Sequence, residues 1–550
     1  MSDTISCKVN GVDVEVPKGT SVYETAKAAG FVIPHFCYHP GLSRPANCRM
    51  CLVDASNSRK PIPSCYIDAA PDAEYTTDSE HVHEMRRAIL EFILLNHPVD
   101  CPICDQAGEC ELQDNYFDHS LQTSRLVTPK VHKPKATPLS DKIMFDGERC
   151  IVCTRCVRFC DEVAKTSEIG VINRGEKSEI AIFPGQDLSN PYQMNIVDLC
   201  PVGALTSRDF RFKIRVWFME SVESVCDHCA RGCSVHLDHH KGEVMRYRPR
   251  ENRNVNDWWV CDEGRLSYQK IHERRVLAPV VSQNGKPRRA SWTDAVDAIE
   301  TAMAGVASDA VAIAVSATVS VETAYALRRL REEVLPQAQV FRTGRADGTD
   351  QDDILIRNDK NPNARGLEAV FGPLPDEVAL AGAVSSRKIT HVIAFGDTVH
   401  ATTLAGAQCV IVAGVHASDA VKAAKVALPL QSHAEHDGVF VNFDGHVQRF
   451  HGAISPVGEA EAGYAIVSRI AGALGATLKW RTAGAVFKAL ASETMAFSGM
   501  THFNLGSTGR PLVTEAPQSE AVSEEASEDA QASDAAEQPA EEAPVETTEA

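Results

Sequence analysis

Apolar and polar residues alternate over residues 5–17 and break at Asn10-Gly11, which predicts a two-stranded hairpin with a tight turn. A helix follows: Ser21-Val22-Tyr23-Glu24 reads as a capping box, and Gly30 is placed to stop it. Over residues 82–96 the period lengthens to helical spacing at Val82, Met85, Ile89, Phe92 and Ile93, and Pro98 ends that helix just after His97. Residues 120–140 hold Pro129, Pro134 and Pro138 with few large apolar residues, the pattern of a connector. Further on, Val311–Ser316, Thr390–Phe395 and Cys409–Gly414 are apolar runs, and helical patterns occupy Val321–Leu330 and Ala417–Ala424. Buried strands alternating with helices predict a parallel α/β sheet. Beyond residue 514 Ala, Glu, Ser, Pro and Gln dominate, a composition that cannot bury a core and predicts disorder.

Charge changes this picture little. The net charge of −19 owes twelve carboxylates to the stretch Glu515–Glu549, where Lys and Arg are absent, so the remainder carries only about −7. No basic stripe points to nucleic acid. No apolar run reaches the roughly 18 residues of a membrane span, so membrane association is expected only through partners. Met1-Ser2-Asp3-Thr4 has neither the basic nor the apolar segment of an export signal. The thiols are therefore expected to stay reduced and, where clustered, to bind metal.

Fifteen of the eighteen cysteines and one histidine fall into four groups. The first is Cys37-x10-Cys48-x2-Cys51-x13-Cys65, and the second is His97-x3-Cys101-x2-Cys104-x5-Cys110. The third is Cys150-x2-Cys153-x2-Cys156-x43-Cys200, and the fourth is Cys226-x2-Cys229-x3-Cys233-x27-Cys261. Two thiolates two residues apart turn both sulfurs to one centre, and a distant ligand closes the cage. Hairpin, helix and cysteine loop follow one another in the order of a β-grasp [2Fe-2S] ferredoxin. By spacing alone, zinc suits the first, second and fourth groups as well. His81 and His83 read as surface residues, and Cys7 and Cys409, on strand patterns, as buried hydrophobes.

The third group carries a further signature. A bacterial two-cluster ferredoxin has two C-x2-C-x2-C-x3-C-P runs, and the fourth Cys of each serves the other cluster. Here the first run is Cys150, Cys153, Cys156 and Cys160, and the second survives only as Cys200-Pro201. Its other three positions are Asn190, Gln193 and Ile196. One cluster keeps four ligands; the other has lost three, leaving Cys160 an orphan and not a ligand.

With these groups in place, the chain resembles the 75-kDa-type subunit family of NADH:quinone oxidoreductase, respiratory complex I, in its bacterial, G-type form. The resemblance implies an α+β multidomain chain. Its parts would be a β-grasp [2Fe-2S] ferredoxin (1–80), a one-histidine three-cysteine [4Fe-4S] domain (81–120) and a ferredoxin-like [4Fe-4S] domain (141–215). A further [4Fe-4S] domain (219–275), a reduced molybdopterin-oxidoreductase-like α/β domain (276–510) and a disordered acidic tail (514–550) would follow. It implies one [2Fe-2S] and three [4Fe-4S] clusters on the four groups, the last structural or vestigial. Electrons would enter at the Cys37 centre, pass to the Cys150 and then the His97 centre, and leave to a further iron–sulfur subunit. A partner would supply flavin and NADH, since no G-x-G-x-x-G occurs here. The complex would hold the chain at the cytoplasmic face of a bacterial inner membrane.

Leu428-Pro429, Glu435, Gly438, Asn442, Asp444-Gly445 and Gln448 resemble a stretch shared by molybdopterin oxidoreductases. Fewer than about 300 residues follow Cys261, and no cysteine lies between 262 and 408, so no molybdenum cofactor is expected. The rival reading is the iron–sulfur and pterin subunit of a formate dehydrogenase-like complex.

Overall fold

The structure, a computed structural model, describes residues 4–120 and 123–514. The expected disorder after residue 514 lies outside them.

Strands Thr4–Val9 and Val12–Pro17 pair antiparallel around Asn10 (φ 49°) and Gly11 (φ 81°), two left-handed residues as a hairpin turn of this length requires. Ser21 caps helix Val22–Ala28 by accepting the Glu24 N–H at 3.2 Å. The return half of the expected capping box is replaced, because the Glu24 carboxylate accepts the Tyr38 hydroxyl at 2.7 Å. Strand Glu74–Thr76 joins Thr4–Val9 in parallel, completing a mixed five-stranded sheet over a core of Cys7, Val9, Val22, Ile33 and Tyr75.

Helix Glu80–Leu94 starts at Ser79, whose hydroxyl accepts the Val82 N–H. Its buried side differs from the expected apolar stripe: Val82, Arg86 and Leu90 face inward, while Phe92 is 73% exposed. In the i, i+4, i+8 row Arg86 donates through one terminal nitrogen to the Thr77 carbonyl at 2.9 Å, while its Nε has no partner among the described residues. His81 and His83 lie on the outer side, against Asp54 and Asp78.

The segment from Ile143 to Ser207 pairs strand Ile143–Phe145 with Leu205–Ser207 and carries short helices Arg155–Arg158 and Asn195–Leu199. Glu220–Val225, Ser234–His240 and Glu243–Pro249 form an antiparallel meander.

A seven-stranded sheet organises the rest. Its order is Lys286–Arg289, Val280–Gln283, Val426–Pro429, Cys409–Gly414, His391–Phe395, Val311–Ser316 and Gln339–Thr343. The last five are parallel and the first two antiparallel to their neighbours. Val311–Ser316, His391–Phe395 and Cys409–Gly414 are buried at every position, which is why they read as unbroken apolar runs. Cys409 packs in this core. From Val311–Ser316 the chain moves first to one neighbour and then to the other, so the order reverses there. Among the described residues no helix is long and apolar enough to cross a membrane.

Candidate metal centres

The groups lie in loops and at the ends of elements, with Cys156 inside the short helix Arg155–Arg158. In the first, Cys37, Cys51 and Cys65 are buried and Cys48 half-buried. The Cys37 N–H donates to the Cys48 sulfur at 3.4 Å. Left-handed Ala46 (φ 52°) and Arg49 (φ 61°) tighten the loop around Cys48. Contact with Cys48 and Cys65 holds the Cys37 thiol low, and Cys65 brings Cys51 down to about 7. Cys48 and Cys65 are driven up by the same neighbours and by burial. The four thiols thus perturb one another strongly and share one environment.

In the second group His97 follows the end of helix Glu80–Leu94. Its Nδ1 is buried with no hydrogen-bond partner among the described residues. Burial first, then Arg149 and Lys130, depress the imidazole to about 4, so it is neutral, the form a metal needs. Cys104 and Cys110 are buried and Cys101 is exposed. A Cβ at Gly203 would sit 2.3 Å from the Cys104 sulfur, so only glycine permits this approach.

Cys150, Cys153, Cys156 and Cys200 line one apolar pocket with Phe145, Ile180, Val202 and Leu205. Burial pushes Cys150 to about 11 and Cys153 and Cys200 to about 12. Val152 (φ 53°) and Thr154 (φ 63°) are left-handed, and the Val152 N–H donates to the Cys150 sulfur at 3.4 Å.

In the fourth group Cys226, Cys229, Cys233 and Cys261 are all buried. The Gly264 N–H donates to the Cys261 sulfur at 3.3 Å, and a Cβ there would meet the sulfurs of Cys226 and Cys261 at 3.1 and 3.2 Å. The stretch from Leu428 to Gln448 braces this loop: Gln448 donates to the Gly232 carbonyl and accepts from Ser234, and Asn442 donates to the Arg231 carbonyl. Glu435 is locked to Arg275 at 2.6 Å in the interior.

Among the described residues no three His, Cys, Asp or Glu side chains close on a single ion. The orphaned His97 nitrogen, the glycines set against the Cys104, Cys226 and Cys261 sulfurs and the pocket shared by Cys150, Cys153, Cys156 and Cys200 fit a metal–sulfur group that these residues would hold.

Cys160 is fully buried in the turn Phe159–Val163, and desolvation with nearby Glu168 pushes its thiol to about 12. Asn190, Gln193 and Ile196 are buried too. The Glu168 carboxylate accepts the Ser189 and Asn190 N–H groups, the Asn190 side-chain amide and the Thr166 hydroxyl. Asn190, at one of the positions where the ferredoxin pattern has cysteine, is thus a buried polar residue bound to Glu168.

The third group touches both earlier ones. Arg158 donates to the Cys37 carbonyl, and the Asn47 amide donates to the Val152 carbonyl at 3.4 Å. Arg149 bonds Asp100 at 3.0 Å, and Arg155 bonds Glu111 at 2.9 Å. His39 stacks on Trp259, 5.3 Å between ring centroids, tying the first loop to the fourth. Spacing could not reveal these bracing residues, nor Gly203 and Gly264, because their partners are remote in sequence.

Family models match in the same order. They are a 2Fe-2S iron-sulfur cluster binding domain (2–80), the NADH-ubiquinone oxidoreductase-G iron-sulfur binding region (86–125) and the NADH-quinone oxidoreductase subunit 3 ferredoxin-like domain (140–206). The NDSU1/NuoG-like 4Fe-4S domain (219–269) and molybdopterin oxidoreductase (355–473) follow. The chain is 39% identical over 335 residues to the NADH-quinone oxidoreductase G subunit of Rickettsia felis, covering 60% of this chain and 49% of that one. It is 40% identical over 297 residues to the mitochondrial NADH dehydrogenase [ubiquinone] iron-sulfur protein 1 of Solanum tuberosum, covering 54% and 40%. The chain thus spans about half the length, or less, of these relatives. Over the matched residues, and in the order of its iron–sulfur domains, this chain is similar to the NADH-quinone oxidoreductase G subunit.

Proposed function

We propose that this chain is the iron–sulfur relay subunit of a proton-translocating NADH:quinone oxidoreductase, carrying electrons from a flavin-bearing partner toward quinone. Cys37, Cys48, Cys51 and Cys65 would hold a [2Fe-2S] cluster. His97, Cys101, Cys104 and Cys110 would hold a [4Fe-4S] cluster, as would Cys150, Cys153, Cys156 and Cys200, and Cys226, Cys229, Cys233 and Cys261. Bound there, the clusters supply one-electron carriage.

The chain's own residues fix spacing, exclude water and set local charge. The observation that carries the reading is the position of the third set, hydrogen-bonded to the first through Arg158 and Asn47 and to the second through Arg149 and Arg155. A central set joined to two others suits a relay better than separate structural sites. The fourth set, braced by the α/β domain, serves as a structural centre. Partners would be the flavin subunit and downstream iron–sulfur subunits at the cytoplasmic face of a bacterial membrane, with no molybdenum cofactor.

Iron and acid-labile sulfide, counted on anaerobically purified protein, should come to about fourteen irons per chain. Stoichiometric zinc in place of iron would overturn the relay. Stoichiometric molybdenum would favour a formate dehydrogenase-like subunit instead.

A further inference from the structure

Two arginines stand one turn apart on the short helix Arg155–Arg158, on either side of Cys156, and reach to different neighbours. Arg155 goes to the second set, where the Glu111 carboxylate accepts from both its terminal nitrogens and offsets its charge. Arg158 goes to the first set, and every acceptor it finds among the described residues is uncharged. Its guanidinium donates to the Cys37 carbonyl at 2.5 Å, the Ser43 carbonyl at 2.6 Å and the Thr154 hydroxyl at 3.3 Å. Glu162, the acid near it, is engaged instead by the Ser43 N–H and hydroxyl.

The loop of residues 37–43 is thus pinned at both ends to one cation, and the space beside it is closed by rings. His39 stacks on Trp259, 5.3 Å between ring centroids, and Phe159 meets Trp259 edge to face at 5.0 Å. A Cβ at Gly41 would sit 2.5 Å from the Trp258 ring, so the loop lies directly on these side chains. Trp259 is buried and Arg158 half-buried. Burial lowers the Arg158 pKa from the ordinary arginine value, while Cys153, Glu162 and Cys37 oppose it, so a ligand candidate of each set lies within its field. Where rings exclude water, such a charge is weakly screened.

We infer that Arg158 positions the first hand-over and sets its potential: an uncompensated cation, held on the main chain of the Cys37 loop, that raises the potentials of the Cys37 and Cys150 centres together. The inference rests on the reading of both sets as cluster sites. In the step it acts on, one electron leaves the Cys37 centre, which is oxidised, and enters the Cys150 centre, which is reduced; no bond or proton changes place. A positive charge near both favours the electron on either centre over the fully oxidised pair. It therefore sets how readily this junction accepts an electron from the flavin-bearing partner. The second hand-over differs, because its arginine is paired with Glu111.

The test is an EPR redox titration of the full, cluster-loaded chain and its variants, with iron content measured beside it. In Arg158→Gln the ratio of reduced to oxidised Cys37 and Cys150 centres at a fixed ambient potential should fall about tenfold, a downward midpoint shift of about 59 mV for one electron. Arg158→Lys keeps the charge without the fork and should restore most of that ratio. Glu162→Gln removes a nearby negative charge, keeps an acceptor for Ser43, and should move both ratios the opposite way. The His97 centre should move less in every variant. Unchanged ratios in Arg158→Gln with both signals present would overturn the inference. An equal fall in Arg158→Lys and Arg158→Gln would overturn it too, marking a structural contact only. If Arg158→Gln loses either signal, Glu162→Gln decides, and an unmoved ratio there sinks the inference. Parent protein without iron at these sets would defeat the cluster reading itself, and the inference with it.

Discussion

The Arg155 guanidinium grips the Glu111 carboxylate through both nitrogens, at 2.9 and 3.2 Å, and the Leu199 carbonyl at 3.1 Å. Arg155 precedes Cys156, Glu111 follows Cys110, and Leu199 precedes Cys200. One buried cation therefore stands between the second and third thiol sets and fixes the loops of both.

Replacing Arg155 by Met should cost about 1–3 kcal/mol, because the pair is lost and the Leu199 carbonyl loses a donor. It should also lower the midpoint potential of the Cys150 centre, since a nearby positive charge favours the reduced state. Arg155→Lys should restore part of that shift by keeping the charge without the fork. An EPR redox titration reads the potential and chemical unfolding reads the stability. An unchanged potential in Arg155→Met would show that the cation is only structural.

Cys160→Ser should leave every cluster signal in place, whereas Cys156→Ser should remove one. Cys160 packs beside Glu168 and its donors, not in the pocket of the other four sulfurs. Glu168→Ala should destabilise the domain by about 1–3 kcal/mol or more, since four donors lose their acceptor. Loss of a signal in Cys160→Ser would mean that this cysteine is a ligand after all.

Gly203→Ala should remove the signal of the His97 centre and spare the others. The added Cβ meets the Cys104 sulfur at 2.3 Å, and that sulfur is not the free end of a flexible chain. Low-temperature EPR of the variant beside the parent decides it.

His416 gives a pH dependence. Burial opposes its charge, but the hydrogen bond from Nδ1 to Asp397 at 2.6 Å outweighs that and raises its pKa above the usual histidine value. A raised folded pKa means that the contribution is fully present below about pH 6.5 and is lost as pH rises through the folded value. His416→Gln should therefore cost about 1–2 kcal/mol at pH 6 and less at pH 8. Thermal unfolding of both proteins at the two pH values checks it, and an equal loss at both would refute the linkage.

Much of the molecule was legible in its sequence where the governing forces are local. Asn10-Gly11 announced its hairpin because few other residue pairs accept two left-handed positions in a row. Val311–Ser316 and Cys409–Gly414 came out with their full bounds because strands buried on both faces admit only apolar residues. The helix at 82–96 was legible as a helix, but its buried face was not. Periodicity nominated Phe92, yet packing chose the row holding Arg86, whose partner Thr77 lies outside the helix.

The sequence by itself marked out the four groups of candidate ligands, since cysteines two or three residues apart in one loop can reach one centre through short-range geometry. It also set Cys160 apart from those groups, as the expected orphan of a two-cluster pattern. Only the tertiary structure set Cys160 near a Glu168 carboxylate held by the Ser189 and Asn190 N–H groups and the Asn190 amide. Tertiary structure likewise placed Gly203 against Cys104 and Arg155 between two thiol sets. Spacing encodes contacts that one loop can make alone; close approach and buried charge depend on segments that meet only when the chain is packed.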